Sequence, residues 1–197
     1  MAEPMSGDEP APAWLLWAIV GLLGLIGVVV VALTAPLEQL LGSSLHAVRG
    51  ALHGTCAGLF LVTSTIGLFQ AYRLYAGSVW HVAELQAGSV VNAALAVLTV
   101  VSGNWIYIPY RAPEGPRTYF LQVAPAVHKV FFEFKEFAAL FTVPLSVVAA
   151  YLLVRYGGDV YRRRGLSAVV AVLLVLTFFY LVVAFGLGAA VTKFRSV

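Results

Sequence analysis

The side chains of this sequence best suited to chemistry are its histidines and one short run of charged residues. His53 and His128 each lie about one helical turn or slightly more inside a long apolar stretch. The second is followed closely by four charged residues, Lys129, Glu133, Lys135 and Glu136. A neutral imidazole binds zinc, copper or iron through a ring nitrogen, and a carboxyl group withdrawn from water is suited to proton exchange. These residue types therefore predict metal or cofactor ligation, proton transfer, or both.

The elements that must position these residues are long apolar stretches. Hydrophobic residues make up 61% of the 197-residue chain and charged residues 11%, against roughly 25% charged residues in a soluble domain. Five stretches are each long enough to cross a bilayer as a helix, which takes about 20 apolar residues. They are Ala13–Leu33, Ala47–Ala71, Val82–Ile108, Ala126–Val154 and Leu166–Val191. Because the strand alternation of a barrel is absent, the sequence predicts an all-α, polytopic integral membrane bundle with five transmembrane helices.

The domain organisation expected from this pattern is simple. Residues 1–12 are acidic, contain neither Lys nor Arg, and are expected to form a disordered tail, whereas residues 13–197 form a single five-helix transmembrane domain. A signal peptide would begin with basic residues, so the first stretch is expected to remain as a helix. The net charge of +3 is too small to predict nucleic-acid binding. The basic cluster Arg162–Arg164 predicts that its connector and the N-terminus lie on the cytoplasmic side of the plasma membrane.

Polar side chains from three stretches are predicted to meet at one end of the bundle. The second stretch begins with His46, Arg49 and His53, the third ends with Asn104, Trp105 and Tyr107, and the fourth begins with the charged run. Alternate crossing of the membrane brings these three ends to the same side, where the longest loop, Tyr110–Ala124, also lies. Charged groups inside a membrane are costly and usually face the bundle interior or a cavity. This end is therefore the predicted functional site.

Paired histidines at this end predict a b-type haem. Haem iron readily takes His nitrogen, and helical bundles build cofactor sites from side chains on facing helices. We therefore expect His53 and His128 to be the axial ligands of one haem. Gly54, next to His53, would let a porphyrin approach the backbone, and Arg49 and Lys129 would pair with its carboxylates.

Two features at this end are also consistent with different roles. Gly50, Gly54 and Gly58 recur at a spacing of four, which is equally typical of close contact between helices. A transition-metal ion held by His46, His53, His128 and nearby carboxylates is an alternative to haem.

The charged run after His128 leaves two interpretations open. On a regular α-helix, Lys129, Glu133 and Glu136 share one face, next to the face that carries His128 and Lys135. In the first interpretation this is a structural ion-pair cluster, with Lys129 and Glu133 at a favourable spacing of four. In the second, Glu133 or Glu136 handles protons for a quinone or for transport. Both interpretations expect Glu133 and Glu136 to face the bundle interior.

The layout of the second to fourth stretches resembles that of small polytopic b-type cytochrome membrane subunits. In that family, paired histidines from different helices of a four- or five-helix bundle clamp one or two haems, and His53 and His128 match one such pair. A second haem would need a further pair of histidines on the opposite side of the bundle, where only His81 is available, so the resemblance implies one haem b. It also implies an electron-transfer subunit that exchanges electrons with a quinone or a partner redox protein in a membrane complex. A proton-coupled transporter or channel and a non-catalytic scaffold or assembly subunit are the alternatives.

Overall fold

The computed structural model describes residues 44–78 and 82–194, and all regular secondary structure in these ranges is helical. The elements are α1 (Leu45–Tyr75), α2 (Val82–Tyr110), α3 (Pro116–Val123), a π-helix (Val127–Phe132), α4 (Glu133–Tyr156), α5 (Asp159–Arg162) and α6 (Arg164–Phe194). The predicted all-α fold is confirmed for this part of the chain.

Four helical spans in the described ranges are long and apolar enough to cross a membrane. They are Ala47–Tyr75, Val82–Tyr110, Val127–Tyr156 and Arg164–Lys193. Their bounds lie within a few residues of the predicted ones, and they support a multi-pass protein in a lipid bilayer. The predicted acidic tail and the first predicted helix, 13–33, lie outside the described residues, so a fifth span is not confirmed.

The four long helices form a bundle in which each one packs against two neighbours. Helix α1 contacts α2 and α6, and α4 contacts the same two helices. Helices α1 and α4 therefore stand diagonally opposite each other across the bundle. Because successive long helices run in opposite directions, the beginnings of α1 and α4 lie at the same end as the terminations of α2 and α6.

The end of the bundle where α1 terminates, here called the closed end, has a tightly packed core. Its central cluster consists of Ala71, Leu74, Leu85, Ala149, Leu153, Val160, Val170, Ala171 and Leu174. Small residues in this cluster allow membrane helices to approach closely. A buried amide is also paired there, because Gln86 Nε2 donates to the Leu153 carbonyl at 2.9 Å. Towards the bundle centre, Asn92 Oδ1 accepts hydrogen bonds from the Ser64 and Thr63 hydroxyls at 2.8 and 2.9 Å.

The opposite end, here called the cavity end, is covered by α3, which lies in the segment predicted to be a loop. The tight turn before α3 requires Gly115, since a Cβ atom there would lie 2.5 Å from the Tyr110 carbonyl oxygen. Phe120 of α3 is almost fully buried and packs against Tyr110 and Phe132 in one apolar cluster. The segment after α2 is therefore a structural cap on this end of the bundle.

The span Val127–Tyr156 begins with a π-helix, which changes the helix faces predicted for the charged run. The Glu133 amide donates to the His128 carbonyl, five residues back. A π-turn contains more residues than an α-turn, so the side chains that follow are rotated relative to a regular α-helix. Lys129 and Glu133 are exposed, whereas Glu136 lines the bundle interior. The prediction that Glu133 and Glu136 both face the interior is therefore wrong for Glu133.

Candidate functional site

A cavity of about 490 Å³ lies between the four long helices at the cavity end. Its lining comes from the beginnings of α1 and α4 and the terminal parts of α2 and α6. The polar lining residues are His53, Thr99, Asn104, Tyr107, Tyr110, Lys135, Glu136, Thr142 and Thr192, and the remaining lining residues are Gly and apolar residues. This volume lies within the range of about 300–1,000 Å³ that is usual for ligand and cofactor pockets.

His53 of α1 lies on the cavity wall with only one of its ring nitrogens engaged. Nδ1 lies 3.1 Å from the Thr99 carbonyl oxygen and 3.2 Å from Ser102 Oγ. Because a carbonyl oxygen can only accept, this network assigns the proton of a neutral ring to Nδ1 and leaves a lone pair on Nε2. Within the described residues, Nε2 has no hydrogen-bond partner. A metal-binding histidine is commonly oriented in this way, by a backbone carbonyl on its other nitrogen.

Glycines make space on both sides of His53. A Cβ atom at Gly103 would lie 3.0 Å from His53 Cε1, so the ring occupies the space that a larger residue would fill. Cβ atoms at Gly50, Gly54 and Gly58 would meet no atom within 4 Å. Gly50 and Gly54 line the cavity, and within residues 44–78 and 82–194 this stripe does not make the close helix contact that its spacing also suggested.

Lys135 of α4 projects into the same cavity. Its side chain passes Gly188 of α6, where a Cβ atom would lie 3.6 Å from Lys135 Cε. Its Nζ lies 4.7 Å from the centre of the Phe132 ring, a cation–π distance. Within the described residues, Nζ has no hydrogen bond and no carboxylate oxygen within 4 Å. Among the described residues, His53 Nε2 on α1 and Lys135 Nζ on α4 thus lie at the cavity without a hydrogen bond or an ion pair.

A chain of polar contacts connects the cavity to the protein surface. Glu136 and Tyr107 both line the cavity. The Tyr107 hydroxyl accepts a hydrogen bond from the exposed Arg111 guanidinium at 2.8 Å, which leaves its own proton free to be donated. This hydrogen bond raises the pKa of Arg111 above its ordinary value, so the guanidinium at the protein surface remains charged.

Stacked aromatic rings form the cavity wall nearest to α3. The Tyr110 and Phe132 rings are parallel, with an interplanar angle of 1° and centroids 4.5 Å apart. Tyr107 stacks on Tyr110 with a centroid distance of 5.3 Å. These rings present a flat apolar surface to any molecule that occupies the cavity.

His128 supports this wall and does not line the cavity. It is 3% exposed, and both of its ring nitrogens contact protein groups. Nε2 accepts a hydrogen bond from Arg117 Nε at 3.2 Å, and Nδ1 lies 3.0 Å from the Tyr110 hydroxyl. Because Arg117 Nε can only donate, the proton of a neutral His128 ring lies on Nδ1. The structure therefore brings His53 to the cavity but not His128.

The other residues predicted at the site are distributed around it. The Arg49 guanidinium lies 4.3 Å from the Trp105 ring centre, and its buried Nε has no hydrogen-bond partner among the described residues. Lys129 and Glu133 are exposed, and no ion pair within 4 Å joins them in the described ranges. The side chain of His46 and all of His81 lie outside the described residues.

Helix α2 contributes more to the cavity than the sequence predicted. Asn104 and Tyr107 were expected at this end, and both line the cavity. Thr99, Gly103 and Tyr110 line it too, and together with Tyr107 they recur at spacings of four and three, which places all four residues on one helix face.

Two further observations bear on the candidate functions: the grouping of metal-binding side chains in the described residues, and the comparison with known proteins. Within residues 44–78 and 82–194, no group of three or more His, Cys, Asp or Glu side chains is close enough to hold a metal ion. The alternative of a metal held by His and carboxylates alone therefore has no site in these ranges. No family model matches the chain, and neither a curated protein nor a solved structure matches it.

Proposed function

We propose that this protein is a membrane electron-transfer subunit that binds one haem b in the cavity, with Nε2 of His53 as an axial ligand. The observation that carries the proposal is the unpartnered His53 Nε2 on the wall of a cavity of about 490 Å³. A haem held there would supply one-electron chemistry. The polypeptide would orient it and keep it out of contact with water.

Four properties of the described residues fit such a group. The Thr99 carbonyl fixes the orientation of the His53 ring, and the open wall at Gly50 and Gly54 leaves room beside it. The Tyr110 and Phe132 rings provide an apolar surface. Cationic side chains at this end, including Arg49 and Lys129, are candidates to pair with the carboxylates that a porphyrin carries.

Ligation of the haem by both His53 and His128 fits this arrangement less well than ligation by His53 without His128. His128 would have to give up its hydrogen bonds to Arg117 and Tyr110, at a cost of about 0.5–1.5 kcal/mol for each. In our proposal His128 instead positions Tyr110 against the cavity.

Visible spectroscopy of protein purified from cells with ample haem tests the proposal. The reduced-minus-oxidised spectrum of the wild-type protein should contain a single b-type band. His53→Ala should lower the haem content at least about tenfold, because metal ligands dominate affinity, whereas His128→Gln should retain most of the haem. Folded wild-type protein without haem, or a His53→Ala variant with full haem content, would disprove the proposal.

The placement of Glu136 favours proton movement as a second candidate function. A carboxyl group in the same cavity as Tyr107, whose hydroxyl contacts Arg111, is arranged to pass protons to the surface. Electron transfer to a quinone would require such protons, and a proton-coupled transporter would use the same route.

Matched variants distinguish this role of Glu136 from a structural one. Glu136→Gln should slow proton exchange, or quinone-dependent reoxidation of the reduced protein, by about a hundredfold, the lower end of the range for a proton-transfer group. The Glu133→Gln control, which changes an exposed carboxylate, should have no effect. Equal rates in both variants and the wild-type protein would exclude Glu136 from the route.

With Arg162–Arg164 in the cytoplasm, as the positive-inside rule predicts, we propose that the cavity end faces the outside. The exposed Thr118 of α3 then faces outward. Labelling of Thr118→Cys in intact cells, in a Cys56→Ser background, should succeed with a reagent that cannot cross the membrane. Labelling only after cell lysis would reverse the orientation.

A further inference from the structure

We infer that the amine nitrogen of Lys135 is the second axial ligand of the haem, opposite His53. The inference rests on the proposed haem site and replaces the histidine pair suggested by the sequence with a His–Lys pair. Lys135 lines the cavity but has no part in the proton route through Glu136. The inference gives it a role.

The first argument is the placement of the two nitrogens. His53 lies on α1 and Lys135 on α4, the two helices that stand diagonally opposite in the bundle. Both side chains line the same cavity, and they are close enough to interact electrostatically. A planar group between these helices would therefore have one nitrogen on each side.

The second argument is the absence of competing donors. Among the described lining residues, His53 and Lys135 are the side chains that can offer a nitrogen lone pair to iron. His128 is fixed by Arg117 and Tyr110. Both methionines of the chain lie within its first five residues, outside the described ranges.

The third argument is the chemical situation of Lys135. An ammonium group without a partner in an apolar cavity is costly, and no carboxylate oxygen lies within 4 Å of Nζ in the described residues. Coordination would form an iron–nitrogen bond and release one proton, since a ligand nitrogen must be deprotonated. Glu136, the next residue and also in the cavity, would accept that proton and pass it through Tyr107.

Replacement of Lys135 by a residue that cannot ligate iron tests the inference. The ferric wild-type protein should be six-coordinate and low-spin, and Lys135→Leu should be mainly high-spin, with the low-spin fraction reduced about tenfold. Haem content should remain near the wild-type value because His53 is intact. The matched control is Arg155→Leu, in which an exposed cation at the closed end of the same helix is removed and the spectrum should not change.

A second measurement covers the case in which Lys135→Leu does not fold. Lys135→Arg retains length and charge but offers iron no amine, so it should give the same high-spin spectrum. Both variants should bind carbon monoxide in the reduced state, which the six-coordinate wild-type protein should resist.

Each outcome has a distinct meaning. A low-spin Lys135→Leu or Lys135→Arg variant that has full haem content would overturn the inference while leaving the proposed function intact. Conversion to high spin in His128→Gln, and not in the Lys135 variants, would restore the histidine pair. Wild-type protein without haem would refute the proposed function itself.

Discussion

The two ends of the bundle are built from the same four helices but differ in how those helices meet. At the closed end, Ala71, Ala149 and Ala171 are buried together with leucines in one continuous cluster, and Gln86 is hydrogen bonded. At the cavity end, a Cβ atom at Gly50 or Gly54 would meet no described residue within 4 Å. Small residues thus serve close packing at one end and open space at the other, so their spacing alone does not determine their role.

Polar groups of the bundle also differ in whether they have hydrogen-bond partners among the described residues. Asn92, near the bundle centre, accepts two hydroxyl hydrogen bonds, whereas the His53 Nε2 and Lys135 Nζ groups at the cavity end have no protein partner in the described ranges. In a membrane, helix association depends on packing and on hydrogen bonds between helices. A bound molecule that contacts these two groups would account for their lack of partners in the described residues.

The largest expected effect is on folding, at the closed end. Leu153 is fully buried in the central cluster, and Leu153→Ala should lower the free energy of unfolding by about 2–5 kcal/mol because it leaves a cavity among fixed helices. Denaturation in mixed detergent micelles measures this loss. The haem spectrum of the molecules that remain folded should not change, and an altered spectrum would show that the two ends are not independent.

An intermediate effect is expected at the cavity end. Gly103→Val should displace the His53 ring, which lies 3.0 Å from the position of the new Cβ atom, and reduce haem content about tenfold with a smaller change in stability. The control is Gly58→Val, because the corresponding Cβ position on α1 is open and Gly58 does not line the cavity. Equal haem content in the two variants would contradict the assigned position of His53.

The smallest effect is expected in α5, next to the closed end. Burial raises the pKa of Tyr161 to about 12, and its buried hydroxyl has no hydrogen-bond partner in the described residues. Because the folded-state pKa lies above the unfolded value of about 10, this group contributes stability below pH 10 that is lost as the pH rises towards 12. Tyr161→Phe should remove part of the alkaline loss of stability and have little effect at pH 7. Thermal unfolding at both pH values measures the difference, and an unchanged alkaline profile would argue against the shifted pKa.

Much of the fold was predictable from the sequence, because the length of an apolar stretch determines whether it can span a membrane. Local signals agree with the helix ends: Ser44 caps α1 by accepting a hydrogen bond from the Ala47 amide, and Gly157, at a φ of 47°, follows α4. Helix α3 was missed because it is short, is preceded by Gly and Pro, and depends on the burial of Phe120.

The candidate site was only partly predictable, for a different physical reason. The sequence correctly placed polar residues of three helices at one end, since this requires only alternate crossing of the membrane. It did not predict the π-helix, because hydropathy carries no signal for one extra residue in a turn. The directions of the His128 and Glu133 side chains depend on that turn and on Arg117 of α3, which donates to His128.

The π-helix Val127–Phe132 holds one residue more per turn than a regular α-helix. Removal of one residue from this segment would allow a regular α-helix to form, and the shorter turn would leave the helix after it in nearly the same angular setting. Lys135 and Glu136 would then still line the cavity. A one-residue deletion in the regular helix just after this segment would instead turn everything beyond it by about 100° about the helix axis, so a gap within Val127–Phe132 in a related chain would be compatible with an unchanged cavity lining on α4.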